Sequence, residues 1–181
     1  YAFGKKGTGF AVKMSLDDGK ERALLTGAKL QFWASHIPVP GGDDIEIAIY
    51  DATGKDGSPG NKLAGPIKAK AKRDLNEWTE VDLSHLGIIV EGDFYIVYLQ
   101  ADVYPYIPGF VSDGDVRQNA GRSWDYIAGY WFKADESAGN YMIRALVDYG
   151  ASSEVVEPVI TSPESGLITN EKMITVRGTA E

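Results

Sequence analysis

The sequence predicts an all-β protein, a jelly-roll-like antiparallel β-sandwich, and three observations carry that expectation. Apolar and polar residues alternate with a period of two in one segment after another. Turns rich in Gly, Pro, Asn and Asp separate those segments. No segment has a 3.6-residue apolar period flanked by capping residues. Eight or nine such strands need two sheets to bury their apolar faces. An immunoglobulin-type sandwich is the nearest alternative, but the strands are long and the usual Cys and Trp anchors are missing.

The elements follow in chain order. "TGFAVKMSL" sets Phe10, Val12, Met14 and Leu16 on one face, and "DDGKER" turns the chain. In "ALLTGAKLQFWAS", Ala28, Leu30, Phe32 and Ala34 share a face. "PVPGGDD" breaks the pattern before "IEIAIYD", where Ile45, Ile47 and Ile49 alternate with Glu46 and Ala48. "ATGKDGSPGNK" reads as a long structural turn by its Gly, Asp and Pro content. "IKAKAKR" places Lys68, Lys70 and Lys72 on one face, the pattern of an edge strand that charge protects from further pairing. "EWTEVDLS" alternates Thr79, Val81 and Leu83 against Trp78, Glu80 and Asp82. "DFYIVYLQ" is apolar on both faces, so it belongs at the centre of a sheet or under a covering loop. "GNYMIRALVDYG" turns Ile143, Ala145, Val147 and Tyr149 inward, with Arg144 and Asp148 outward.

Composition removes several function classes. With 18 Lys and Arg against 26 Asp and Glu, the 181-residue chain carries a net charge of −8, the wrong balance for nucleic acid. No apolar run approaches the roughly twenty residues that span a bilayer. The absence of cysteine removes disulfides, thiolate catalysis and Cys-ligated zinc together. An acidic, Gly-rich and Tyr-rich chain without cysteine suits an extracellular setting. Any signal peptide is expected to lie before "YAFGKK", which has neither a basic nor an apolar leader segment.

One stretch stands out for binding. Val103 to Phe132 holds eight of the chain's aromatic residues. Exposed Tyr104, Tyr106, Tyr130 and Trp131, with Arg122 beside the rings, would form a ligand surface for polysaccharide or extended peptide. The competing reading packs Trp124, Tyr126, Trp131 and Phe132 between the sheets, with Tyr104 and Tyr106 held by the "YPYIPG" turn. In "NAGRSWDYI", Ser123 and Asp125 alternate with Arg122, Trp124 and Tyr126, as in a strand with one packed face. No cofactor is required. A structural calcium ion, needing roughly six to eight oxygen ligands, would draw first on Asp113 and Asp115 of "SDGDV". Asp17 with Asp18 and Asp43 with Asp44 are the other acidic turns. "DATGKDG" departs from the EF-hand pattern, because Lys55 stands where the third ligand belongs. No catalytic residue is assigned: His36 ends a strand before a Pro turn, and His85 sits in a turn.

After Gly150 the composition changes. Residues 1–150 read as the sandwich and 151–157 as a polar linker. Residues 158–181, with "PVITSP" and "MITVRGT", read as the incomplete start of an immunoglobulin-like domain, since about seven strands make a whole one.

Taken together, "AVKMSLDDGKERALLTGAKLQFW", "IEIAIYDATGKDGSPGNKLAGP", "EWTEVDLS", "DFYIVYLQ", "NAGRSW" and "GNYMIRALVDY" resemble a known region. It lies C-terminal to the protease domain in bacillopeptidase F-like, secreted serine proteases of the subtilisin family. The resemblance runs in order through residues 1–150. It implies a non-catalytic accessory domain that serves as spacer, stabiliser or weak substrate-binding module. It also implies a protease domain upstream and the immunoglobulin-like domain downstream in the same chain. Neither the Gly-Thr-Ser-Met nor the His-Gly-Thr motif of that family's active site occurs here. The alternative is a carbohydrate- or cell-wall-binding module, which the aromatic stretch would serve.

Overall fold

The computed structural model describes residues 2–115, 120–150, 159–162 and 177–179. Ten antiparallel strands form two facing sheets. They are β1 (Gly9–Met14), β2 (Arg22–Gln31), β3 (Asp44–Asp51), β4 (Lys62–Lys70), β5 (Trp78–Asp82), β6 (Ile89–Glu91), β7 (Phe94–Gln100), β8 (Ser123–Ile127), β9 (Tyr130–Lys133) and β10 (Ile143–Asp148). The larger sheet runs β4-β3-β7-β1-β8-β9, and the smaller runs β10-β2-β5 with β6 also on β2. The predicted sandwich is therefore the fold, with the short β6 added to the strands read from the sequence.

The core lies between the sheets. Phe10 and Val12 of β1, Ile45, Ile47 and Ile49 of β3, and Phe94, Ile96 and Tyr98 of β7 face Leu25, Ala28, Leu30 and Val81 across it. Phe110, from the segment after β7, bridges to Phe32 and completes an aromatic centre. Its ring lies 5.0 Å from Phe10, 5.3 Å from Tyr98 and 5.7 Å from Tyr141. These tilted geometries add to the area each ring buries.

Strand β2 serves the core in two phases. Ala23 and Leu25 face inward, and so do Ala28, Leu30 and Phe32. The phase changes because the pairing with β10 jumps from Leu25 to Gly27, leaving Thr26 as an extra residue. The bulge turns a broken alternation into one continuous buried face.

β4 is the predicted Lys-bearing edge, with Lys68 and Lys70 exposed and Ala69 packed inward. Lys70 Nζ bridges Asp43 at 2.9 Å and Asp44 at 2.8 Å, so that acidic pair is held by an ammonium group.

The aromatic stretch departs from the core reading. Trp124 and Tyr126 do not lie between the sheets. The inward positions of β8 belong to Ser123, which accepts a hydrogen bond from the Tyr141 amide at 3.1 Å, and Asp125, which accepts one from the Tyr141 hydroxyl at 2.6 Å. Polar inward residues satisfy Tyr141, and the period-2 alternation then sends the large rings outward. Trp131 also packs on the outer face, and Phe132, at the sheet edge, is 52% exposed.

Beyond Gly150, β11 (Val159–Ser162) and β12 (Arg177–Thr179) pair antiparallel with each other. The linker at 151–157, and the rest of the unit expected at 158–181, lie outside the described residues. No helix among the described residues is long and apolar enough to cross a membrane.

Candidate binding cleft on the outer sheet face

The outer face of the larger sheet carries a second packed layer. Ala11, Ala48, Tyr95 and Val97 are fully buried there, with Tyr50, Trp124 and Trp131 packed against them. The small Ala11 and Ala48 leave room for large neighbours. Ala11 pairs with Trp124 and with Val97. Tyr95 meets Trp124 edge-on at 6.4 Å, and Trp131 contacts Tyr50 at 5.4 Å and Tyr126 at 4.6 Å.

The loop between β3 and β4 closes over one side of this layer. Asp51 Oδ1 accepts from the Thr53 amide at 3.1 Å, the Thr53 hydroxyl at 2.6 Å and the Asn61 amide at 2.8 Å. Asp51 Oδ2 accepts from Asn61 Nδ2 at 3.0 Å. Burial pushes this carboxyl's pKa up, but the hydrogen bonds from Thr53 and Asn61 outweigh it and hold the value at about 2. Gly60 has no space for a side chain, because a Cβ would collide with Asp51 and Thr53. The clasped loop brings Gly57 to the sheet, where its carbonyl accepts the Tyr95 hydroxyl. The long turn is thus a fixed wall.

Beside that wall lies a cleft of about 700 Å³, within the usual range for ligand sites. Its base is set by strand register. Lys13 of β1 pairs with Tyr95 of β7, and its amide donates to the Arg122 carbonyl at 2.9 Å. Trp124 of β8 pairs with Lys133 of β9. Period-2 alternation places Lys13, Arg122, Trp124 and Lys133 on the same outer face. Lys13 Nζ bridges Asp93 at 2.6 Å, and this hydrogen-bonded ammonium holds the Asp93 carboxyl below its ordinary pKa. Arg122 Nη1 donates to the Lys13 carbonyl at 3.3 Å, which leaves most of its fork directed elsewhere. Asp56, on the clasped loop, is the other acid lining the cleft.

The residues read as a ligand surface separate. Arg122 lies in the cleft. Trp131 packs behind it in the outer layer, while Tyr130, 70% exposed, points to the opposite side of β9. Tyr104 and Tyr106 are exposed in the segment after β7. Tyr104 lines a hollow of about 530 Å³ with Trp33, His36, Ile37, Pro38 and Val39. Arg73 braces that hollow from beneath, donating to the carbonyls of Ser35 at 2.6 Å, Pro38 at 2.7 Å and Pro40 at 3.4 Å.

Asp113 Oδ1 accepts from the amides of Asn140 at 2.8 Å and Asp115 at 3.0 Å, and Oδ2 from Asn140 Nδ2 at 2.9 Å. Most of its lone-pair sites therefore serve the chain itself, as in an Asx turn. Asp115 lies beside it. His85 stands in the 3-10 turn Ser84–Leu86, where the Ser84 hydroxyl donates to Asp82 at 2.6 Å. Among the described residues, a guanidinium stacks on a ring at Arg144, 4.5 Å from Trp78.

Lys13, Asp93 and Lys133 were missing from the sequence reading. Lys13 is an outward residue of an alternating strand, and its partners come from strands far along the chain. Register alone assembles them.

No model of a known protein family matches the chain, and no solved structure does. Among curated proteins the chain is similar to Bacillopeptidase F of Bacillus subtilis (strain 168), with 52% identity over 174 residues. The match takes in 96% of this chain and 12% of that protein, in agreement with the resemblance read from the quoted segments.

Proposed function

We propose that residues 1–150 form a non-catalytic accessory domain of a secreted, subtilisin-type serine protease, and that this domain holds protein substrate weakly for a protease domain elsewhere in the chain. The observation that carries this reading is the extended identity to one small segment of a protease. His36 lies in the braced apolar hollow, and the hydroxyl of the serine next to His85 donates to Asp82. An immunoglobulin-like domain follows the sandwich in this reading, and the protein acts outside the cell.

The test is an assay of the pure chain on casein, with a pull-down against denatured protein, cell wall and insoluble polysaccharide. The reading expects no hydrolysis and retention on denatured protein. Hydrolysis that disappears on substituting His36 and His85 would overturn it. A second reading, a carbohydrate- or cell-wall-binding module, is favoured by the exposed Trp33, Tyr104 and Tyr106. It expects retention on polysaccharide or cell wall instead.

A further inference from the structure

The outer-face cleft has a chemistry that points to its ligand. The chain is acidic, with a net charge of −8, yet Lys13, Arg122 and Lys133 converge on this one cleft. The Lys13 ammonium is occupied by Asp93 at 2.6 Å, which leaves the Arg122 fork and the Lys133 ammonium as the cationic groups for a ligand. Asp56 is the opposing charge at the loop wall. The Lys133 amine lies over Gly121, where an added Cβ would come within 3.3 Å of it.

The apolar surface in the cleft comes from one half-buried ring, Trp124. Tyr95 is fully buried, perpendicular to Trp124, and its hydroxyl is bound to Gly57. The two rings make a corner. A glycan chain needs successive flat faces to stack on, and this cleft presents a single one. A planar guanidinium fork matches a carboxylate with two parallel hydrogen bonds.

We infer that this cleft binds an acidic peptide segment, with a carboxylate on Arg122 and Lys133 and an adjacent apolar side chain against Trp124. This deepens the substrate-holding reading above and rests on it for the choice of peptide. The cleft adds selectivity, since segments rich in Asp or Glu are held and neutral ones are not.

Calorimetric titration tests this on the 181-residue chain at low salt. The probes are a short peptide alternating Glu with Leu, its Gln counterpart, and an oligogalacturonate. Binding is expected for the Glu peptide only, and raised salt should weaken it. Arg122→Gln with Lys133→Gln should weaken it about tenfold or more, the equivalent of losing one or two charge-assisted hydrogen bonds. Lys68→Gln with Lys72→Gln, which removes the same charge on the edge strand and in the segment just after it, should leave it unchanged. Arg122→Lys, which keeps the charge and loses the fork, should fall between.

Equal binding of the Gln peptide, or insensitivity to the Arg122 and Lys133 changes, would overturn the inference. So would binding of the oligogalacturonate alone. Mass spectrometry of the peptide after titration separates the two levels. Cleaved peptide would refute the non-catalytic reading, and intact, unbound peptide would refute only the peptide cleft.

Discussion

Removing the Asp51 carboxylate should loosen the wall that shapes the cleft. Its two oxygens accept four hydrogen bonds from Thr53 and Asn61, which tie the two ends of the loop together. The shift from 3.8 to about 2 corresponds to a ceiling of about 2.4 kcal/mol at 1.36 kcal/mol for each tenfold. Asp51 is partly exposed, so solvent screening reduces this to about 1 kcal/mol. Asp51→Asn, which removes the charge, should therefore cost about 1 kcal/mol at pH 7. Asp51→Ala, which also removes the acceptors, should cost about 1.5–2 kcal/mol.

The sign with pH follows from a folded-state pKa below the unfolded one. The contribution is complete above 3.8 and is lost as pH falls through about 2. Urea titration of the three proteins at pH 7 and near pH 3 measures this. The gap between parent and Asp51→Asn should be smaller at the lower pH. Hydrogen exchange at the Gly60 and Asn61 amides should quicken in both variants. An Asp51→Asn protein as stable as its parent at pH 7, or a gap that widens in acid, would refute the reasoning.

Other expectations follow from the same structure. Trp124→Ala should cost about 1–2 kcal/mol, less than the roughly 3–5 kcal/mol of a core Trp, because the ring is half-exposed; chemical denaturation distinguishes the two. Tyr98→Phe should raise stability by about 1 kcal/mol, since the buried hydroxyl has no hydrogen-bond partner among the described residues, and a loss of stability would show that it has one. Gly9→Ala should cost about 2–3 kcal/mol by denaturation, because a Cβ there would collide with the Tyr98 carbonyl in the middle of the larger sheet. Arg73→Lys should lower Tm by about 2–4 °C, the equivalent of about 1 kcal/mol, since a single ammonium cannot serve the carbonyls of Ser35, Pro38 and Pro40 together.

The sandwich was legible because its strands obey simple alternation. The two-faced apolar pattern of β7 placed it centrally, and the Lys-Ala alternation of β4 placed it at an edge, as found. The β2 bulge is visible in hindsight, since "LLTGA" breaks the period at Thr26 and Gly27. The aromatic stretch misled for a different reason. Period two says that Trp124 and Ser123 face opposite ways, but it cannot say which way is inward when both faces of a sheet are packed. The polar inner residues of β8 make sense only once Tyr141, far along the chain, supplies their partners. The cleft was illegible on similar grounds. Arg122 was singled out, but Lys13 and Lys133 join it through pairing across β1, β8 and β9, which leaves no local mark.

The four tryptophans give the most direct test of whether the outer-face cleft is the binding site. Each reports on a different place: Trp124 in the cleft, Trp131 in the layer behind it, Trp33 in the apolar hollow and Trp78 on the smaller sheet. A chain labelled with ¹⁵N at its indole nitrogens yields one NMR signal for each. On titration with the Glu-Leu peptide, the Trp124 signal should move furthest, with a smaller shift at Trp131 and none at Trp33 or Trp78. Movement led by Trp33 would transfer the binding site to the hollow beside Tyr104, and four stationary signals would contradict the cleft outright.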